Sequence, residues 1–164
     1  MASSLTSTHD TVFNIPSFHA NPKLGIRIHG QSLSAIDFLP PSAAEKAPET
    51  ELAHQVVTEL LDYFANPARS FSFPVNPQGT AFQQRVWQAL RQIPAGDVCS
   101  YGQLAGRLNT GARALGNACR YNPIPIVIPC HRIVAANGMG GYSGQTSGPQ
   151  LTIKSWLLAH ESRR

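Results

Sequence analysis

The stretch IPIVIPCHRIV, residues 124–134, sets a thiol, an imidazole and a guanidinium side by side within an apolar run. Strand-like residues flank Cys130, His131 and Arg132, so the segment is expected to lie inside the fold. Three fates suit a cysteine so placed. An inert thiol is the ordinary outcome beside Ile126, Val127 and Ile128. A metal ligand is poorly supported, because the chain has no Cys-x-x-Cys pair and Cys130 with His131 offers too few ligands for a structural zinc site. A nucleophile suits the site as well as an inert thiol does, since a neighbouring histidine and arginine can stabilise a thiolate. These residues alone leave the inert thiol and the nucleophile in balance.

Glu161 bears on that balance. It falls at the C-terminal end of a helix expected from Pro149 onward and anchored by Leu151, Trp156 and Leu158. The helix dipole disfavours a carboxylate there. A glutamate turned inward to orient His131 would have a reason for that position. Cys130, His131 and Glu161 then stand in the order thiol, imidazole, carboxylate, a nucleophilic relay by role.

Several elements must position these groups. Thr80 and Gln83 form a capping box that opens a helix with the stripe Phe82, Val86, Leu90 and Ile93, stopped by Pro94-Ala-Gly96. A second box, Ser100 to Gln103, opens a short helix with Leu104, Ala105 and Leu108 inward. After a turn at Asn109, Thr110 is expected to cap another helix from about Gly111 to Tyr121. Two short helices joined by a tight turn read as a helix-turn-helix. In GARALGNACR, small residues (Gly111, Ala112, Gly116, Ala118) alternate with Arg113 and Arg120, so backbone can come close either to a surface such as DNA or to the helices packed against it. The charge agrees: residues 79–164 carry nine Lys/Arg against two Asp/Glu, a net of +7, and residues 1–78 carry four against seven, a net of −3. Such segregation points to a polyanionic partner for the second half.

The first half reads differently. GIRIHG and SAIDFL (residues 25–30 and 34–39) are expected strands around a turn at Gly30-Gln31-Ser32, and residues 40–49 a loop. Leu52, Val56, Leu60 and Phe64 predict a helix over 50–65. Residues 1–20 show no period. The domain boundary is placed at 79/80, where the charge changes sign. No apolar run reaches spanning length, and the N-terminus lacks a basic region followed by an apolar stretch, so a cytoplasmic protein is expected. Three cysteines, Cys99, Cys119 and Cys130, make a poor disulfide framework and suit a reducing compartment. The expected class is α/β (α+β): a small strand-and-helix domain, then a mainly helical domain containing the helix-turn-helix.

Residues 80–161 resemble the catalytic domain of the O6-alkylguanine-DNA alkyltransferases, or methylated-DNA–protein-cysteine methyltransferases. TAFQQRVWQALRQIPAGDVCSYGQLA, ARALGNACRYNPIPIVIPCHRIV, GGYSG and IKSWLLAHE carry the resemblance, in this order and spacing. Residues 1–79 match the family's variable N-terminal domain more loosely, through LGIRIHG, LSAIDFL and the helix before FSFPV. The resemblance implies that the helical domain is winged-helix-like, DNA-binding and catalytic, in a monomer that acts once on double-stranded DNA without a cofactor. It moves an alkyl group from O6 of a flipped guanine, and from O4 of thymine, to Cys130. It implies that His131 activates Cys130 through a bound water, that Glu161 polarises His131, that Tyr101 donates a hydrogen bond to the leaving guanine and that Asn122 braces the turn holding the thiol. Arg113 would fill the gap left by the extruded base, with Thr110, Gly111, Ala112, Ala114, Gly116, Asn117 and Arg120 at the DNA. Cys130 and Ile133 would offer carbonyls to the guanine amine, and Gly141, Tyr142, Ser143 and Gly144 would close over the base, with Gly138 and Gly140 around Met139 freeing that loop. Some relatives bind zinc through cysteine and histidine in the N-terminal domain. With no cysteine before Cys99, no metal is expected here. A related class has tryptophan at the reactive position, and Cys130 argues against it. A non-catalytic helix-turn-helix module and a cysteine hydrolase are the rival readings. The expected location is the cytoplasm, on the nucleoid when DNA is bound.

Overall fold

Apolar and β-branched residues on either side of Gly30 build the first sheet. Strands β1 (Thr11–Asn14), β2 (Lys23–His29) and β3 (Ser32–Leu39) form an antiparallel sheet in the order β1-β2-β3. The β2–β3 hairpin closes through the two residues Gly30 and Gln31, and Gly30 takes the positive φ of 62° that so short a connection needs. Sequence periodicity does not reveal β1. TVFN is too short to show alternation, and its pairing from Thr11↔Ile26 to Asn14↔Lys23 is what makes it a strand.

Helix α1 (Glu51–Ala65) starts at Thr50, whose hydroxyl accepts from Ala53 N at 3.1 Å. It buries Ala53, Val56, Leu60, Tyr63 and Phe64. Leu52, expected in that stripe, is only partly buried, because the inward face passes through Ala53 and Tyr63 instead. The chain after the helix is tied back to it: Ser72 donates from N and Oγ to the two Glu59 oxygens at 2.7 Å, and Phe71 packs against Tyr63 and Phe73.

The computed structural model of the chain describes residues 8–16, 18, 22–138, 140–142 and 149–162. Its contacts divide it into two units, Met1–Pro77 and Gln78–Arg164. Among the described residues no helix is long and apolar enough to cross a membrane.

In the second unit both capping boxes are complete, each with its two reciprocal hydrogen bonds. The first opens α2 (Ala81–Leu90), which buries Val86, Trp87 and Leu90. Phe82 is only partly buried, and the helix ends at Leu90 rather than at Pro94, leaving Ile93 buried in the turn that follows. Trp87 does what the apolar stripe did not foretell: its Nε1 donates to Ala118 O at 3.0 Å, locking α2 to the second helix of the helix-turn-helix.

That motif consists of α3 (Tyr101–Arg107) and α4 (Ala112–Arg120). The turn between them uses Asn109 at φ 55°, a conformation asparagine accepts more readily than most residues. Arg85 Nη2 donates to Leu108 O at 2.8 Å, satisfying a carbonyl at the end of α3. Thr110 is not the cap of α4. Its N–H turns back to Ala105 O at 2.9 Å, and the N-cap is Gly111, which makes no side-chain cap bond.

A parallel pair of two-residue strands, β4 (Cys99–Ser100) and β5 (Ile133–Val134), joins the start of α3 to the chain just after His131 and Arg132. The last helix, α5 (Pro149–Glu161), also departs from expectation. Leu151, Trp156 and Leu158 are partly exposed, whereas Ile153, Lys154, Leu157, His160 and Glu161 are buried. An inward lysine and glutamate replace the expected leucine face, and both serve the site described next.

Candidate active site

Residues 122–132 form the site's backbone, and they are not a strand. Between Asn122 and Pro129 the chain runs through turns in which Ile126 takes a φ of 76°. For a β-branched residue that conformation is strained by roughly 1–3 kcal/mol and persists only where the surroundings impose it. Asn122 is the restraint. Its Oδ1 accepts from Ile124 N at 2.9 Å and its Nδ2 donates to Ile128 O at 2.7 Å, pinning both ends of the strained turn. The same Nδ2 lies 3.2 Å from Cys130 Sγ, so one amide shapes the loop and touches the thiol.

Cys130–Arg132 then form one turn of 3₁₀ helix after Pro129. With about three residues per turn, successive side chains point roughly 120° apart. This explains how a cysteine, a histidine and an arginine can adjoin in sequence and serve different partners. His131 Nε2 lies 2.8 Å from Glu161 Oε2, while Arg132 reaches the same carboxylate through Nε to Oε1 and Nη2 to Oε2, both at 2.8 Å. Arg132 Nη1 also donates to Ile93 O. His131 and Glu161 are almost fully buried.

The electrostatics follow from those contacts. Burial pushes the Glu161 carboxyl up, but its hydrogen bonds to His131 and Arg132 and the Arg132 charge outweigh that and hold it well below the usual carboxylate range. Glu161 therefore stays ionised and accepts, so the His131 proton resides on Nε2. Burial holds His131 itself below its ordinary value, with Glu161 opposing and Arg132 and Lys154 assisting. The result is a neutral imidazole whose Nδ1 carries a lone pair. That Nδ1 is buried and has no hydrogen-bond partner among the described residues.

Arg132 does not attend the thiol, contrary to the sequence expectation, because its guanidinium is spent on Glu161 and Ile93. Lys154 supplies the positive charge instead. Burial pushes the Cys130 thiol up, while the hydrogen bond from Asn122, the Lys154 charge and a hydrogen bond with Tyr142 act in the opposite sense. Lys154 is fully buried and donates to Ile133 O at 2.7 Å and Gly141 O at 2.8 Å. Burial lowers it to about 8, with Cys130 and Cys119 opposing. Sequence reading passed over this lysine. Its spacing from Ile153 and Leu157 on an inward helical face was the available signal.

Tyr101, at the first turn of α3, is half-buried, and its hydroxyl donates to Gly141 O at 3.4 Å. Burial, with Cys119 and Cys130 adding to it, pushes this phenol up to about 12, so it remains a donor. Gly140 passes between Tyr101 and Ala135 at φ 75°; a Cβ there would lie 3.1 Å from the Tyr101 ring and from Ala135 N. Gly141 and buried Tyr142 complete this wall, and Gly138 stands in open space. The expectations for Met139, Ser143 and Gly144 lie outside the described residues. Ile133 N donates to Cys130 O, and Ile133 O accepts from Lys154, so each of the two expected carbonyls already accepts one of the two hydrogen bonds a carbonyl can take.

On α4 the structure separates two sets of residues. Ala112, Arg113, Ala114, Asn117 and Arg120 are exposed beside exposed Gly111 and half-exposed Thr110. Gly116 instead faces Tyr101, with its missing Cβ 3.8 Å from the ring, and Ala118 is buried. Among the described residues no group of three or more His, Cys, Asp or Glu side chains is arranged to hold a metal.

Comparison with known proteins bears on this arrangement. The family described as "6-O-methylguanine DNA methyltransferase, DNA binding domain" matches residues 81–163. A methylated-DNA–protein-cysteine methyltransferase of Salmonella typhimurium is 50% identical over 107 residues, covering 63% of this chain and 60% of that protein. The chain thus matches only about 60% of that relative's length. A namesake from Methanosarcina acetivorans is 36% identical over 138 residues, 80% of this chain and 86% of that one. The crystal structure of Mycobacterium tuberculosis O6-methylguanine methyltransferase is similar with a TM-score of 0.73 at 34% identity, covering 93% of each chain. A structure of the OGT protein of the same organism in complex with DNA gives 0.75 at 35% identity, covering 93% of this chain and 92% of that one.

Proposed function

The chain belongs to the O6-alkylguanine-DNA alkyltransferase family, and from that premise we propose that it repairs DNA by moving an alkyl group from O6 of guanine onto Cys130. The observation that carries this reading is the buried thiol held by Asn122 beside a neutral imidazole, whose tautomer is set by an ionised glutamate.

The chemistry then balances. His131 Nδ1 takes the Cys130 proton through a water, and Lys154 and Asn122 stabilise the thiolate that forms. Sulfur attacks the alkyl carbon, the S–C bond forms and the C–O6 bond breaks. Its electron pair leaves with the guanine, which is stabilised by the Tyr101 hydroxyl and then protonated. The thioether product has no leaving group that water displaces readily, so each molecule acts once. Glu161 already carries the Arg132 charge, so its first duty is to orient His131, and its second is to support the imidazolium as it appears.

A guanine inside a duplex cannot reach a buried thiol, so the base must be extruded, at a cost of a few kcal/mol. Arg113, exposed near the start of α4, would occupy the vacated stack, and Ala112, Ala114, Gly111, Thr110, Asn117 and Arg120 would lie along the DNA. Gly141, Tyr142, Ser143 and Gly144 would cover the extruded base, and the carbonyls of Cys130 and Ile133 would take its amine. O4-alkylthymine offers the same bond to break and is a second substrate. Residues 80–164 carry the reaction and residues 1–79 support it, in a cytoplasmic monomer that associates with the nucleoid through DNA.

The test uses a duplex bearing one O6-methylguanine, intact mass and peptide mapping. One added methylene on the Cys130 peptide, stopping at one equivalent, is expected. Folded protein that gains no mass, or that processes many equivalents, overturns the reading.

A further inference from the structure

The exposed row on α4 does not stop at Arg120. Arg113, Asn117 and Arg120 recur at helical spacing on one face, and that row runs directly into Tyr121 at the C-cap. Tyr121 is 57% exposed, more than Val98 or Leu61, the other large exposed apolar residues among the described ones. The Arg120 guanidinium lies over its ring, 5.7 Å from the centroid. One ring face is thus held by a cation while the residue as a whole stays open to solvent. The next residue is Asn122, which contacts Cys130 Sγ. An exposed aromatic residue therefore stands in the chain between the last arginine of α4 and the asparagine that touches the thiol. No acidic side chain occurs from Thr110 to Arg132.

We propose that Tyr121, backed by Arg120, is a stacking platform for an unpaired DNA base outside the reaction pocket. The inference rests on DNA being the partner and adds a binding site for single-stranded or locally opened strand. Three things point to a base rather than to an apolar peptide. The net +7 of residues 79–164 favours a polyanion. A guanidinium under a tyrosine ring is a poor neighbour for aliphatic side chains but strengthens a π stack. Aromatic stacking also tolerates any base, so it serves a protein that must act wherever the lesion lies.

The test measures binding of an undamaged oligonucleotide, single-stranded and then as a duplex, at fixed salt by fluorescence anisotropy. Wild type, Tyr121→Ala, Tyr121→Leu and Tyr121→Phe are compared, with thermal unfolding as a control that an exposed substitution should not move. Stacking on one base predicts an affinity loss of about 5- to 100-fold on the single strand for the alanine and leucine variants. The phenylalanine variant should stay within about twofold, the duplex should be less affected, and the salt slope should not change because no charge is removed. Single-strand affinity in Tyr121→Leu equal to wild type, or no single-strand binding by wild type, overturns the platform. Methyl transfer to Cys130 is scored separately by mass. Its absence in wild type defeats the repair reading alone, and equal affinities alongside normal transfer defeat the platform alone.

Discussion

Each unit of the molecule holds a histidine, a carboxylate and an arginine in contact. In the first, His9 Nε2 lies 2.8 Å and Arg27 Nη2 lies 3.4 Å from Asp37 Oδ2. In the second, His131 Nε2 and Arg132 Nη2 both lie 2.8 Å from Glu161 Oε2. The histidine–carboxylate distances are identical and both histidines are buried, yet the carboxylates and arginines stand in different surroundings. The Asp37 and Arg27 side chains are 42% and 47% exposed, whereas those of Glu161 and Arg132 are 1% and 10% exposed. His9 is accommodated because Gly25, the strand partner of Asp37, has no Cβ; one there would meet the imidazole at 2.6 Å. Water can solvate Asp37 whether or not its partners are present. Glu161 has no such alternative. A histidine–carboxylate contact acquires chemical consequence when water is kept from it, because the protein must then supply every compensating charge.

Removing each carboxylate is the sharpest way to break this comparison. Glu161→Ala leaves the Arg132 guanidinium buried and uncompensated, and a loss of about 3–5 kcal/mol in unfolding free energy is expected by denaturant titration. Should that variant not fold, Glu161→Gln keeps the shape and one accepting oxygen. Its single-turnover transfer rate at saturating DNA should fall by roughly 10² or more with DNA affinity retained, since the base loses its anionic partner. An unchanged rate would reduce Glu161 to a structural anchor for Arg132.

The pH dependence sharpens the same point. Burial keeps His131 below its ordinary 6.5, so the unfolded chain binds that proton first as the solution is acidified. More protons on the unfolded state means that stability falls with decreasing pH, starting near pH 6.5 and continuing down to the folded-state value. The base form of His131 persists below 6.5 in the folded protein, so the transfer rate should hold through that pH and decline only in more acid solution. A rate profile with its acid inflection above 6.5 would contradict a buried, neutral His131.

Lys154→Met comes next in size. It leaves the carbonyls of Ile133 and Gly141 short of a donor and takes a positive charge from the neighbourhood of the thiol. A stability loss of about 1–3 kcal/mol is expected by thermal unfolding. The Cys130 thiol should titrate higher than in wild type, read from the pH dependence of alkylation by a small electrophile. The smallest effect is expected from Asp37→Ala in the exposed trio, about 0–1 kcal/mol with no change in transfer rate. A loss there as large as that of Glu161→Ala would show that exposure is not what separates the two trios.

Much of this was legible in residue order. Both capping boxes, the hairpin around Gly30, the helix over residues 51–65 and the helix-turn-helix rest on signals within a few residues of one another, where local hydrogen bonding decides the outcome. The approach of Glu161 to His131 was legible too, because a carboxylate at a helix C-terminus is out of place unless something holds it. Strand β1 was not legible, since four residues carry no period and gain a structure only from β2. Neither was the cap of α4, where Thr110 had the right chemistry but its backbone was drawn into the preceding turn.

The division runs along range. Sequence alone determined which groups were available: a thiol next to an imidazole, an arginine beside them, a late glutamate and a basic second half. The tertiary structure decided what each group faces. The 3₁₀ turn after Pro129 sends Arg132 to Glu161 rather than to the thiol, and the pitch of α5 turns Lys154 inward to take its place. Asn122 holds Ile126 in a conformation no propensity would choose. Side-chain direction depends on backbone angles, and burial depends on partners far along the chain. For that reason the chemistry of this site is a property of the fold, though its ingredients stand in plain order in the sequence.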